Sequence, residues 1–434
     1  MNEKSATAAI TPFALFATAI SLYQIAIVGS LAAMAGIFVP QHIHRAISLA
    51  AALSVIFLML PLFGKRSGHG VAGKNNDAGP GIIKRIPDFI LLACALVGLG
   101  YVIVFDEEVI QYSEMGYLDL KGMIFAAMIC IPLVEAVRRT AGPILMFLVL
   151  TLVVLTVFQN YLPGILYGRG YTIDRLLYSA FVGEAGIFGL PLGVASNIIL
   201  IFLLFGAMMD VGGAGGWFLR VALVLTGSAR GGPAKAAVIG SAFFGSISGS
   251  PSANVATTGV ITIPLMKQAG YRPAIAGGVE AVASTGGQIL PPVMGAIAFV
   301  MADWIGKSYA EIALAALVPA LLYYLIVFVS VHLQAHRDNI VPVASADQPP
   351  LWSVFKEGWY NIVPLVALIW FLIIDAYPPG MAGVLTIPFV IGVSFLSKDK
   401  SKWLLPDNLM RACAAAVRNW ITIVAITAFV GIMI

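Results

Sequence analysis

Charged residues are scarce in this 434-residue chain. Asp, Glu, Lys and Arg make up 11% of the residues, where soluble domains carry about 25%. Hydrophobic residues make up 60%, and the mean hydropathy is +0.94. Because so little charge cannot cover the surface of a water-soluble domain, the composition predicts a polytopic membrane protein.

Cysteines and catalytic motifs are also missing or few. The three cysteines, Cys94, Cys130 and Cys413, lie in or beside apolar runs. Neither a disulfide framework nor a zinc site is therefore predicted. The sequence has no Walker A loop, no H-E-x-x-H and no G-x-S-x-G, which argues against an ATP motor and against hydrolase chemistry. The net charge of +4 forms no basic stripe interleaved with aromatic residues. We therefore predict no enzyme, no nucleic-acid partner and no cofactor other than a coupling ion.

The apolar runs predict an all-α fold with about eleven membrane spans. The predicted spans are 13–34, 47–63, 89–105, 123–137, 144–161, 192–209, 273–302, 310–331, 362–374, 384–395 and 413–434. Positive charge marks the cytoplasmic side of a membrane. The connector Lys65–Arg85 after the second span is basic. We therefore predict a multi-pass protein of the inner membrane whose N-terminus lies in the cytoplasm.

Residues 231–268 form a further element that does not fit a simple span. Two apolar runs, Ala236–Phe244 and Val260–Met266, flank a polar knot of small residues, Gly245–Asn254. Basic residues occur at both ends: Lys235, Lys267 and Arg272. Because both ends then lie on the cytoplasmic side, the pattern predicts a re-entrant helical hairpin with its tip near mid-membrane. The alternative is two spanning helices with an external loop, packed closely through small residues.

The next span, 273–302, is interrupted as well. Small and polar residues occupy Ala283–Gln288, and Pro291 and Pro292 follow. Two interrupted elements in succession are typical of a transport site at the membrane midplane. There, the N-termini of half-helices can meet an anion and unwound carbonyl groups can bind a cation.

Two acidic residues, Glu135 and Glu280, lie within apolar runs. Glu135 is at helical spacing from Arg138 and Arg139, which predicts a local ion pair. Glu280 is one helical turn before Ser284, and a carboxyl group in an apolar segment is a functional candidate by default. It could relay a proton, or it could lie near the cytoplasmic surface, since Arg272 is only about 12 Å of helix away.

Three passages resemble a known family: GSAFFGSISGSPSANVATTG at 240–259, IPLMKQAGY at 263–271 and EAVASTGGQILPPVMGA at 280–296. They are similar to the large membrane subunit of tripartite ATP-independent periplasmic (TRAP) transporters, over roughly Leu190–Arg337. The passages GGPAK at 231–235, NVATTG at 254–259 and STGGQILPPVMG at 284–295 resemble the TAXI branch, in which the small and large membrane subunits are fused.

The resemblance implies a secondary active transporter permease that works by an elevator motion. It implies a small organic acid (a carboxylate) as substrate, an extracytoplasmic solute-binding protein as partner, and a cation gradient as the energy source. Sodium is favoured as the coupling ion over a proton.

The resemblance also implies a division of the chain. Residues 1–140 would be a small-subunit-like scaffold of four helices, and 141–337 a first repeat with the hairpin (231–268) and the broken helix (273–302). Residues 338–434 would be a linker and the incomplete start of a second repeat. The chain is thus expected to hold half of an inverted-repeat transporter, truncated after its first repeat.

The site predictions follow from oxygen chemistry together with the resemblance, because hydroxyl and carbonyl oxygens suit hard cations. The predicted sodium ligands are Ser246, Ser248, Gly249, Asn254, Ser284, Thr285, Gly286 and Gly287. The predicted substrate-binding residues are Ser248, Ser250, Asn254, Thr258 and Thr285. Glu280 is the candidate for proton coupling. The alternative for these polar groups is that they only satisfy one another at helix breaks.

Two other functions stay open at this point. A channel or passive pore would need a continuous polar lining, which only the hairpin and the broken helix offer. A membrane scaffold subunit would move no solute at all.

Overall fold

A computed structural model describes residues 11–62, 82–164, 167–183, 185–341 and 349–433, and the regular structure in these ranges is helical. In chain order the α-helices are α1 (Pro12–Val28), α2 (Leu31–Met34), α3 (Gln41–Met59), α4 (Ile82–Val104), α5 (Asp106–Met115), α6 (Leu120–Thr140), α7 (Pro143–Val157), α8 (Ile173–Val182), α9 (Leu190–Val194), α10 (Leu200–Val211), α11 (Ala214–Thr226), α12 (Gly232–Ser248), α13 (Pro251–Gln268), α14 (Pro273–Gly286), α15 (Ala296–Ile305), α16 (Tyr309–Arg337), α17 (Leu351–Gly358), α18 (Val363–Ile369), α19 (Pro379–Ser394) and α20 (Pro406–Val430). Short π-helical turns at Ala195–Ile199 and Trp370–Ile374 continue α9 into α10 and extend α18.

Seven of the described helical stretches are long and apolar enough to cross a membrane, judged by length and composition. They are Gln41–Met59, Arg85–Val104, Leu120–Thr140, Leu190–Val211, Tyr309–Arg337, Leu351–Ile374 and Pro406–Val430. Three other predicted spans correspond to the shorter apolar helices α1, α7 and α19, and the interrupted span 273–302 comprises α14 and most of α15. The prediction of an all-α polytopic membrane protein is therefore confirmed.

Two local features differ from the predicted span boundaries. The first predicted span, 13–34, is divided, because α1 ends at Val28 and Ser30 adopts a left-handed conformation (φ 59°) before α2. A helix, α5, lies between the third and fourth spans, where three acidic residues in its first turn favour helix formation through the helix dipole. Most of the predicted cytoplasmic connector Lys65–Arg85, and the first ten residues, lie outside the described ranges.

The helices form two compact groups. The larger group comprises residues 11–36 and 197–417, and the smaller group comprises 37–196 and 418–433. The predicted division into 1–140, 141–337 and 338–434 rests on the resemblance to a family with fused subunits and not on packing. It stays a prediction.

In the larger group, α12, α13 and α14 pack against one another, with α11 and α16 on their flanks. The core that they share contains five alanines: Ala234, Ala237, Ala276, Ala283 and Ala335. Since small side chains let helix backbones approach closely, this composition accounts for the tight three-helix packing.

The hairpin turn between α12 and α13 consists of Gly249 and Ser250. Gly249 ends α12 in a left-handed conformation (φ 59°), and its N–H donates to the Gly245 carbonyl group at 2.9 Å. A side chain at Gly249 would also collide with the carbonyl oxygen of Met294. Ser250 caps α13, which begins at Pro251, where proline fits the first helical turn. The two arms are thus joined by a turn that requires glycine.

In the smaller group, α3, α4 and α6 pack together around a buried ion-pair network. Arg139 is paired with Asp88 at 2.6 Å and with Glu135 at 2.7 Å, and it also donates to the Leu60 carbonyl oxygen at 2.7 Å. The side chains of Arg139 and Asp88 are each only 4% exposed. Arg138 pairs with the same Glu135 at 2.7 Å. The predicted local ion pair of Glu135 is therefore confirmed.

Candidate ion and substrate site

The tip of the hairpin and the break after α14 meet directly. A side chain on Gly245 would lie 2.7 Å from the Gly287 Cα atom, so the two backbones cross at a glycine–glycine contact. The Val293 N–H donates to the Ser246 carbonyl oxygen at 3.1 Å, which ties the broken segment to the tip. The helix break of the hairpin and the helix break after α14 therefore lie side by side, and each has backbone groups outside regular helical hydrogen bonding.

The serine hydroxyl groups at the tip have unequal surroundings. Ser246 donates to the Phe243 carbonyl oxygen at 2.8 Å, and Ser250 lies 3.2 Å from Ser252. The hydroxyl oxygen of Ser248 is buried without a hydrogen-bond partner. Such a group loses about 1–3 kcal/mol relative to water unless something binds it. The tip therefore presents one buried oxygen that is suited to hold a ligand.

Helix α10 packs over this tip. A side chain on Gly206 would lie 3.1 Å from the Ile247 carbonyl oxygen and 3.2 Å from the Ser248 Cα atom. Farther along α10, Asp210 accepts a hydrogen bond of 3.4 Å from Thr257 on α13. Helix α10 thus covers one side of the hairpin tip. A helix break at membrane depth needs such cover, because its free backbone groups must be buried in protein or line a polar cavity.

A second polar group lies deeper between the arms, and we name it the Glu280 cluster: Ser241, Thr258, Thr262, Glu280 and Ser284. Helix α12 supplies Ser241. Helix α13 supplies Thr258 and Thr262, and α14 supplies Glu280 and Ser284. The pairs on α13 and α14 are four residues apart and so lie on one face of each helix. Every side chain of the cluster is at most 1% exposed.

The hydroxyl groups surround the Glu280 carboxyl group unevenly. Three of them lie within hydrogen-bond distance of Oε1: Thr258 at 2.5 Å, Ser241 at 3.0 Å and Ser284 at 3.2 Å. Thr262 is the one hydroxyl group of the described residues within hydrogen-bond distance of Oε2, also at 2.5 Å. In the part of the chain that the structure describes, Glu280 makes no ion pair with Lys, Arg or His.

Asn254 joins the Glu280 cluster to the tip. Its side-chain amide donates to the Ser241 carbonyl oxygen at 2.9 Å, which links the two arms of the hairpin. Its Oδ1 lies 3.2 Å from the Thr258 hydroxyl oxygen. Asn254 is fully buried, so its polar atoms are used within the protein.

The structure therefore brings most of the predicted site residues to three places and leaves two of them apart. Ser246, Ser248, Gly249 and Ser250 lie at the tip. Asn254, Thr258, Ser284 and Glu280 lie in or beside the Glu280 cluster, and Gly287 lies at the backbone crossing. Thr285 is exposed and donates to the Ala281 carbonyl oxygen at 2.7 Å, while Gly286 packs against the rings of Tyr323 and Tyr324. Thr285 and Gly286 are thus separated from the other candidates.

Sequence reasoning missed two members of the Glu280 cluster, Ser241 and Thr262. The signal was available for Thr262, because it follows Thr258 by four residues and so repeats a hydroxyl group on one helix face. Ser241 carries no such spacing, and only the packing of α12 against α14 brings it to Glu280.

Comparison with known proteins identifies a family that the chain matches. Residues 128–434 match the family described as "Tripartite ATP-independent periplasmic transporter, DctM component". The C4-dicarboxylate TRAP transporter large permease protein DctM of Vibrio cholerae is 29% identical over 251 residues, which are 58% of this chain and 53% of the relative. The sialic acid TRAP transporter permease protein SiaT of Haemophilus influenzae is 26% identical over 234 residues, 54% of this chain and 36% of the relative.

The matched segments cover about half the length of each of the first relatives. The family consists of transporter permeases rather than enzymes, and its members and the apolar helices indicate a multi-pass protein of the inner membrane. The family match covers the hairpin, the broken helix and the Glu280 cluster. This chain therefore belongs to the tripartite ATP-independent periplasmic transporter family, as a permease of the DctM component.

Proposed function

We propose that the protein imports a small organic acid across the inner membrane by secondary active transport. The relatives carry names that refer to C4-dicarboxylates, sialic acid and 2,3-diketo-L-gulonate, all of which are organic acids. An extracytoplasmic solute-binding protein delivers the acid to the outer face, and the N-terminus lies in the cytoplasm. The passages at 231–235, 254–259 and 284–295 favour the TAXI branch with fused membrane subunits.

A single observation carries this proposal: the unpartnered Ser248 hydroxyl group lies where two interrupted helical elements meet. Buried polar atoms normally have hydrogen-bond partners, so an exception at a helix break supports a ligand site. We infer that the tip takes a sodium ion or the carboxylate of the substrate. The candidate residues at the tip are Ser246, Ser248, Gly249 and Ser250, with Gly287 from the broken segment.

Sodium is the coupling ion that the tip chemistry favours. Hydroxyl and carbonyl oxygens are the ligands that hard cations prefer, and both kinds are present at the crossing of Gly245 and Gly287. The ends of α12 and α14 at this point add partial negative charge from their last carbonyl groups. The start of α13 at Pro251 adds partial positive charge, which favours a nearby carboxylate.

An elevator motion would carry the site between the two sides of the membrane. The hairpin arms and α14 are joined by direct side-chain hydrogen bonds across the Glu280 cluster. Such a unit can move as one body without breaking its internal contacts, as the transport domain of an elevator must.

The test is uptake of labelled organic acids into proteoliposomes that contain the full-length natural protein and its binding protein. We expect uptake to require the binding protein, to saturate, and to rise with an inward sodium gradient. Ser248→Ala should reduce sodium-driven uptake about tenfold, which corresponds to about 1.4 kcal/mol of lost ligand interaction. Ser252→Ala, at an exposed neighbouring hydroxyl group, is the matched control and should keep most of the activity.

Two outcomes would contradict the proposal. Flux without a gradient or a binding protein would indicate a pore. No movement of any acid by the full-length protein under any gradient would indicate a scaffold subunit.

A further inference from the structure

A group of basic side chains lies where the start of α12 meets the end of α16, at the opposite end of α12 from the hairpin tip. We name it the Lys235 cluster: Arg230, Lys235, Tyr271, His332 and His336. Arg230 precedes α12 and Lys235 lies in its first turn, whereas both histidines belong to α16. Tyr271 lies in the loop between α13 and α14. All five residues belong to the larger group of helices.

The start of α12 runs alongside the end of α16. A side chain on Gly231 would lie 2.5 Å from the Tyr271 hydroxyl oxygen and 2.7 Å from the Ala335 Cβ atom. One turn farther along α12, the Lys235 Nζ atom lies 5.5 Å from the centre of the Phe328 ring. Because Gly231 faces Ala335 and Lys235 faces Phe328, the two helices are antiparallel at this contact.

The two histidines lie along the same stretch of α16. His332 follows Phe328 by four residues, so it lies on the face of α16 that meets Lys235. The rings of His332 and His336 have their centres 4.7 Å apart. The Arg230 Nη1 atom lies 2.9 Å from the His336 Nδ1 atom. Four basic side chains therefore follow one another along this contact.

These basic side chains have no acidic counterpart. In the part of the chain that the structure describes, none of the four forms an ion pair with Asp or Glu. The nearby Asp338 carboxylate accepts a hydrogen bond of 2.7 Å from Gln334. Lys235 is only 6% exposed, and a buried ammonium group without a counter-charge is unfavourable. A bound anion would supply the charge that the protein itself does not.

Two neutral polar atoms of the cluster also lack partners. The Tyr271 hydroxyl oxygen and the His332 Nδ1 atom are buried without a hydrogen bond among the described residues. Buried polar atoms normally have such partners, and both groups can donate a hydrogen bond. The start of α12 adds partial positive charge at the same place. Donors from α12, from α16 and from the loop before α14 are therefore present around one positively charged position.

We propose that the Lys235 cluster binds a phosphate group. A phosphate has four oxygen atoms in a tetrahedral arrangement, so it can accept from an ammonium, a phenol and an imidazole group that belong to different elements. The phosphate is that of an anionic phospholipid, since the cluster lies at the predicted cytoplasmic boundary of the membrane, or it is dissolved inorganic phosphate. Once bound, it joins the start of the hairpin to α16. The site does not depend on the proposed transport function.

Binding of dissolved phosphate is measured by equilibrium dialysis of radiolabelled inorganic phosphate against the purified protein in neutral detergent, at constant ionic strength. We expect Tyr271→Phe to weaken binding about tenfold, at the lower end for a hydrogen bond to a charged group. Lys235→Gln should weaken binding by at least as much. The control Lys267→Gln, at an exposed lysine of α13, should leave it unchanged. Because the Tyr271 hydroxyl group has no partner in the protein, Tyr271→Phe should leave the melting temperature without phosphate unchanged.

A second measurement distinguishes the lipid from dissolved phosphate. The same four proteins are taken from nanodiscs of equal phosphatidylglycerol and phosphatidylcholine, and the lipid they retain is identified by native mass spectrometry. Retention of phosphatidylglycerol that Lys235→Gln and Tyr271→Phe reduce would support the site and identify the lipid as its ligand. Phosphate binding with the same sensitivity, without retained lipid, would support the site and identify dissolved phosphate.

Two results would overturn the proposal. The first is an unchanged protein that neither binds inorganic phosphate nor retains phosphatidylglycerol over phosphatidylcholine. The second is binding of either ligand that is equally strong in Lys235→Gln, Tyr271→Phe and the unchanged protein, because the anion would then lie elsewhere.

Discussion

Buried carboxyl groups are treated in two different ways in this molecule. In the smaller group, Asp88 and Glu135 are balanced by the guanidinium group of Arg139. In the larger group, Glu280 is as buried as Asp88, but among the described residues its carboxyl oxygens are hydrogen-bonded by hydroxyl groups alone. The Arg139 guanidinium group supplies a compensating charge and fixes α4 to α6, whereas the hydroxyl groups around Glu280 join three helices without any charge of their own.

Among the tests of this contrast, we expect the largest change in the free energy of unfolding from removal of the Arg139 guanidinium group. Arg139→Met leaves the buried Asp88 without its cation, whereas Glu135 keeps Arg138, and removing one member of a buried ion pair costs about 3–5 kcal/mol. We expect that loss in the free energy of unfolding, measured by denaturant titration in mixed micelles. The control Arg220→Met breaks a pair that is about half exposed, and it should change stability by less than about 1 kcal/mol. Similar losses for both variants would contradict the contrast.

Neutralising one acid in each group sharpens the comparison. Asp88→Asn removes a charge that Arg139 needs, so we expect a loss of about 1–3 kcal/mol, in the range of a buried hydrogen bond to a charged group. Glu280→Gln introduces an amide of the same shape among hydroxyl groups that can both donate and accept hydrogen bonds, and it should cost less than about 1 kcal/mol. The same unfolding measurement decides between them. A larger loss for Glu280→Gln than for Asp88→Asn would contradict the contrast between the two groups of helices.

The sequence predicted one half of this comparison better than the other. Glu135 and its arginines are neighbours on one helix, so their spacing was enough to predict the ion pair. Asp88 is far from Arg139 in the chain, and the Glu280 cluster is built from three helices, so only tertiary packing brings those groups together. The helix breaks at Gly249 and after Gly286 were predictable, because glycine and proline act locally. The partners of a buried side chain depend on how helices face each other, and periodicity does not contain that information.

A smaller effect tests how tightly the Glu280 cluster is packed. A side chain on Gly259 of α13 would lie 3.1 Å from the Glu280 Cγ atom, which is tighter than ordinary contact. Gly259→Ala should therefore push α13 and α14 apart and cost about 1 kcal/mol, at the low end for overpacking. Gly278→Ala on α14 meets nothing within 4 Å and is the control, with a neutral or slightly stabilising effect expected from helix propensity. Equal stabilities of the two variants would indicate that the cluster has room to adjust.

The smallest effect concerns an exposed acid of the smaller group, Glu108. Its carboxylate pairs with the Lys121 ammonium at 2.5 Å and accepts a hydrogen bond from Tyr101, and these contacts hold the pKa of Glu108 below its ordinary value of 4.5. A lowered pKa in the folded state stabilises the protein above the ordinary value, and this stabilisation is lost as the pH falls through the lowered pKa. Glu108→Gln should therefore flatten the fall of the melting temperature on the acid side of pH 4.5. Glu114→Gln, at an exposed acid on the same helix, should leave the pH dependence of the melting temperature in this acidic range unchanged. Because the Glu108 pair is open to solvent, raising the salt concentration should weaken its effect, whereas the buried pair of Asp88 and Arg139 should respond little.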